Sequence, residues 1–180
     1  AWCPRVDRSH PPAHRGMSAR PAVAATGLGL IAPHGDDPQS VFDALLRAES
    51  AIRPVFPELA KPAAAATVAF DESRWFTKLQ LSGVDRVSQL AVAAADLAVK
   101  DAGGLEGVEP GRIGVFGGCG MGVANRNDNG YRNGMQGRMP PLTIPAFMPN
   151  APAAHVAMRQ QAKGPVFTYA VAWSSSAVAV

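Results

Sequence analysis

Apolar positions along this chain follow two rhythms: short unbroken runs, and longer stretches that repeat every three to four residues. Ala22 to Pro33 ("AVAATGLGLIAP") is an unbroken run bounded by glycine and proline, and it predicts a buried strand. The rhythm then changes. Val41 with Leu45, and Phe42 with Leu46, lie four apart, so they share one side of a helix that buries that face. Asp37 suits its N-cap and Pro38 its first turn. Pro54, Pro57 and Pro62 predict a loop, and residues 63–70 ("AAAATVAF") a short strand. The clearest helix is "DRVSQLAVAAADLAVKDAGG". Asp85 can cap it, Val87, Leu90, Ala91, Ala94, Leu97 and Ala98 form a stripe, and Gly103 ends it. Ala93, Ala95 and Val99 make its other sides apolar, which predicts a helix inside the domain. Residues 112–122 ("RIGVFGGCGMG") predict a second buried strand, 125–138 a polar glycine-rich loop, 152–162 another helix, and 165–173 ("PVFTYAVAW") a third strand. Strands alternating with helices place the chain in the α/β class.

Composition narrows the functions available. A length of 180 residues suits one domain or one half of a larger one, and 47% hydrophobic with 17% charged residues suits a packed core. The net charge of +3 is unevenly placed. Arg5, Arg8, Arg15 and Arg20 stand in the first twenty residues beside His10 and His14, so the basic character belongs to a tail and argues against a nucleic-acid partner. With Pro4, Pro11 and Pro12 and no apolar run, residues 1–20 predict a disordered tail or upstream sequence rather than a signal peptide, and Met17 is a candidate start. No stretch approaches the length of a membrane span, so no membrane partner is expected. The two cysteines, Cys3 and Cys119, make neither a disulfide framework nor a zinc pattern, and a cytoplasmic setting follows as the default. His10, His14, His34 and His155 lack metal-ligand spacing. No cofactor is expected.

Three features invite a chemical reading and each has a plainer one. Gly117, Gly118, Gly120 and Gly122 depart from the dinucleotide-binding pattern, and no good helix is predicted directly after them, so a tight turn outweighs a phosphate site. Cys119 has no base or cation near it in sequence and reads as a small turn residue. His155 lies in a helical stretch and reads as structural.

Taken in order, these segments resemble the β-ketoacyl synthases, the condensing enzymes of fatty acid and polyketide synthesis. "VAATGLGLIAPHGDDPQSVFDALLRAESAI" is similar to the family's opening strand, turn and helix, and "DRVSQLAVAAADLAVKDAG" to its long buried helix. "RIGVFGGCGMG" resembles the next strand and glycine loop, and "IPAFMPNAPAAHVAMRQQAKGP" the segment before the active-site strand. The resemblance implies a thiolase-like α/β fold of which residues 21–180 form the N-terminal half, a five-stranded mixed sheet layered between helices. The chain would stop just inside the nucleophile helix.

In the family the nucleophile turn reads Ala-Cys-Ser-Ser-Ser or a close relative. Here Ala172-Trp173-Ser174-Ser175-Ser176 stands in its place, so the resemblance puts Trp173 at the nucleophilic cysteine's position. A cysteine at a helix start is activated as a thiolate and carries the acyl chain as a thioester. An indole N–H is a donor only and forms no thioester. The three serines read as caps and small packing residues. The family's catalytic histidines and lysine belong to the C-terminal half, which this sequence does not contain.

Three functions follow from the resemblance. One is a catalytically silent, chain-length-factor-like partner of an active synthase. Another is a fragment or variant of an active synthase that performs decarboxylative Claisen condensation of acyl and malonyl carrier-protein thioesters. The third is a non-enzymatic dimerisation fragment. The partners implied are an acyl carrier protein, the missing C-terminal half, and a second subunit as homodimer or as heterodimer with an active ketosynthase. The strand before the turn supplies the dimer contact in the family, which here means Val166, Phe167, Thr168, Tyr169, Ala170 and Val171. That strand is β-rich and uncharged, a poor candidate for an exposed edge. Thr168 and Tyr169 should point to opposite faces.

Overall fold

The structure, a computed structural model, describes residues 23–180 apart from Leu59, Ser82, Met121, Val123 and Pro140. The predicted tail, residues 1–20, lies outside the described residues.

Two parallel strands organise the site. β3 (Val115–Gly118) pairs with β4 (Val166–Tyr169) in the register Val115 to Val166 through Gly118 to Tyr169. Parallel neighbours need a long crossover. Here the crossover contains α3 (Ala124–Met135), α4 (Thr143–Phe147) and α5 (Ala151–Arg159). Helix α5 packs on one face of the sheet and α6 (Ser175–Ala179) on the other. Behind α5 lies α2 (Arg86–Asp101), giving an α/β layer structure. Small side chains set the spacing: Ser88, Val92 and Ala93 of α2 and Ala153 and Ala157 of α5 are buried. The two helices are also tied by charge, with Asp96 meeting Arg159 at 2.8 Å and accepting from Gln160 Nε2 at 2.6 Å.

Helix α2 follows its sequence closely. Asp85 occupies the N-cap position, and none of residues 86–99 is exposed. The helix stops where Gly103 and Gly104 turn to φ +86° and +100°, with Gly104 N donating to Val99 O at 2.8 Å. At α1 (Pro38–Leu46), Asp37 caps as expected, accepting from Ser40 N at 2.8 Å and Ser40 Oγ at 2.7 Å. Those bonds hold its carboxyl below the usual range.

Several predicted features are absent or different. The strand expected over 22–33 does not form in its described part, residues 23–33, where only an isolated bridge joins Ala32 to Gly35. Its backbone instead lies directly on α2. A Cβ at Gly29 would sit 2.0 Å from Ala94 O, and one at Gly27 2.3 Å from Ala98 O. Leu28 N donates to Asp101 Oδ2 at 2.8 Å. No strand among the described residues flanks this segment to form a ladder. The apolar face predicted to be buried on α1 is open: Phe42, Leu45 and Leu46 are exposed and only Ala44 is buried. The predicted loop over 125–138 is mostly the helix α3, despite its asparagines and glycines. Packing on α4 and an i,i+4 pair, Arg132 to Asp128 at 2.8 Å, offset the poor propensity.

The sheet is also smaller than the five strands expected. Among the described residues four strands form two separate pairs. The second pair is a short antiparallel hairpin, β1 (Arg53–Val55) with β2 (Ala63–Ala65). β2 takes only part of the strand predicted over 63–70, and β1 uses the stretch read as loop. A two-stranded pair leaves each strand an open edge, where Pro54 is tolerated. β4 ends at Tyr169 instead of running on to Trp173, because β3 ends opposite it and the chain turns. Among the described residues no helix is long and apolar enough to cross a membrane.

Candidate functional site

The site is a strand-turn-helix corner built between β4 and α6. Cys119 N donates to Tyr169 O at 3.0 Å, the last bond between the two chain segments. Ala170 and Val171 then leave the ladder, and Ala172 turns at φ +52°. A left-handed alanine costs roughly 1–2 kcal/mol, so the surroundings must hold it. Ser175 does so. Its buried hydroxyl accepts from Val171 N at 3.0 Å and donates to Ala172 O at 2.7 Å, stapling the turn from inside. Gly118 closes the back of the corner: a Cβ there would stand 2.5 Å from Ser175 C and O.

This arrangement refines the expected role of the serines. Ser174 occupies the N-cap position but has αR backbone angles and makes no side-chain cap bond. The bracing comes from Ser175, one residue later. Its hydroxyl is engaged as both donor and acceptor, so it is unsuited to nucleophilic attack.

Trp173 stands at the tip, fully exposed. The turn therefore presents a flat apolar ring with one N–H donor at its tip. Nothing at this position can take an acyl group.

Facing along β4 follows from its register. A Cβ on Gly117 would meet Ala153 Cβ of α5 at 3.3 Å, whereas one on Gly118 meets α6. Thr168, opposite Gly117, thus shares the α5 face, and Tyr169, opposite Gly118, shares the α6 face. On the α6 face the rings of Phe116 and Phe167 lie 5.9 Å apart. Val166, Phe167, Ala170 and Val171 are exposed, while Thr168 and Tyr169 are intermediate. The other edge of β4 has no strand beside it among the described residues.

The glycine loop is a close-packed corner. A Cβ at Gly122 would lie 2.7 Å from Val87 Cγ2 and 3.0 Å from Cys119 Sγ. Contrary to expectation, a helix does open shortly after it, since α3 begins at Ala124. Cys119 is buried. Sequence reasoning missed Gly118 and Ser175 as the residues that shape the turn. A glycine inside a strand is the signal that could have found the first, because it marks close approach of another backbone.

His155 lies on α5 at a cleft of about 490 Å³ that it shares with Phe76, Leu79, Val92 and Met158. Burial pushes its imidazole below the ordinary value. The unfolded chain then binds the proton more readily than the folded one. Stability from this group is present above about pH 6.5 and lost as the pH falls below it. His155→Gln should flatten that part of the profile, measured as the urea midpoint between pH 7.5 and 5.5. An unchanged slope would show that burial of His155 is not its cause.

Comparison with known proteins agrees with this geometry. Residues 20–180 match the family model described as "Beta-ketoacyl synthase, N-terminal domain". Nodulation protein E of Rhizobium meliloti is 34% identical over 161 residues, covering 86% of this chain and 40% of that protein. A putative polyketide β-ketoacyl synthase 1 of Streptomyces cyaneus is 34% identical over 172 residues, covering 88% of this chain and 41% of that one. Among solved structures, a β-ketoacyl synthase from Burkholderia phymatum STM815 superposes with a TM-score of 0.69 at 25% identity over 86% of this chain and 40% of its own. The ishigamide ketosynthase/chain length factor superposes with a TM-score of 0.70 at 24% identity over 81% of this chain and 39% of its own, a likeness of fold alone. The chain thus spans about 40% of the length of the relatives it matches.

Proposed function

Because this chain belongs to the β-ketoacyl synthase family, through that family's N-terminal domain, we propose that it serves as a catalytically silent, chain-length-factor-like partner of an active synthase in fatty acid or polyketide synthesis. The observation that carries the proposal is Trp173, fully exposed at the tip of a turn whose remaining parts are braced. The corner is kept and the nucleophile is replaced. An indole at the mouth of an acyl site limits the space left for a growing chain.

The partners proposed follow from the same reading. An acyl carrier protein delivers the chain to the active subunit, in a cytoplasmic setting. A C-terminal half covers apolar side chains that are exposed here, among them Phe116 and Val178. A second subunit pairs along Val166 to Val171, where β4 has an open edge and exposed apolar side chains. An exposed apolar edge of this kind invites pairing with another chain.

A second reading has its own support. Synthase names attach to relatives at 34% identity, which favours a variant or fragment of an active condensing enzyme, and a non-enzymatic dimerisation fragment fits the same edge strand. Acyl transfer from a labelled acyl carrier protein, followed by mass spectrometry, tests the silent-partner reading. No covalent acyl adduct should form on this chain. An adduct on Ser174, Ser175 or Ser176 would overturn the silent-partner assignment.

A further inference from the structure

We draw no further inference here: the strongest candidate, the open cleft between α2, α5 and the loop that carries Phe76 and Leu79, has its one cation, Arg159, already paired with Asp96, and nothing in the structure shows what covers it.

Discussion

Gly118→Ala should destabilise the protein by about 3 kcal/mol, at the upper end of overpacking penalties. On chain entropy alone, glycine to alanine in a strand would stabilise. The sign reverses here because the new methyl would lie 2.5 Å from Ser175 C and O and 2.6 Å from Ser176 N. Those are backbone atoms and cannot swing aside. Helix α6 would have to lift off the sheet, pulling Ser175 Oγ away from Val171 N and releasing the left-handed Ala172. Gly117→Ala is the control. Its methyl would meet Ala153 Cβ at 3.3 Å, which a small shift of α5 relieves, so the cost should stay below about 1 kcal/mol. Urea denaturation of the two variants gives the comparison directly. Equal midpoints would mean that the sheet does not alternate between α5 and α6 in the way described.

Val171→Lys should dissociate the proposed subunit pair, weakening association by about 100-fold or more, since juxtaposed like charges cost several kcal/mol. Val171 is 51% exposed in the single chain, and its backbone N–H, not its side chain, bonds Ser175. The substitution should therefore leave the fold intact while placing a charge in an apolar contact. A two-fold axis would bring two such lysines together in a homodimer. Phe167→Lys, also on an exposed side chain of β4, should act alike. Leu79→Lys, exposed on a different part of the molecule, should change nothing. Sedimentation velocity reads the outcome. If the Val171 and Phe167 variants keep the mass of the parent, the edge of β4 is not the contact.

Most of helix α2 could be read from its residues: the apolar positions on nearly every side and the glycines that end it act within one or two turns of chain, whereas Asp85 takes the N-cap position without the side-chain cap bond expected of it. The cap at Asp37 was legible for the same reason. The order of segments along the chain was legible too, because a family resemblance needs no contacts to be recognised. The apolar run over 22–33 contained nothing to say that α2, some seventy residues away, would receive its backbone in place of a neighbouring strand. Likewise Phe42, Leu45 and Leu46 make an amphipathic helix without naming what covers them. The asparagines and glycines of α3 argue locally for a loop, and a helix forms where α4 offers a surface. Capping and periodicity are short-range and written in adjacent residues. Strand pairing, burial and the brace of Gly118 against Ser175 depend on a second segment, whose position exists only once the chain has folded.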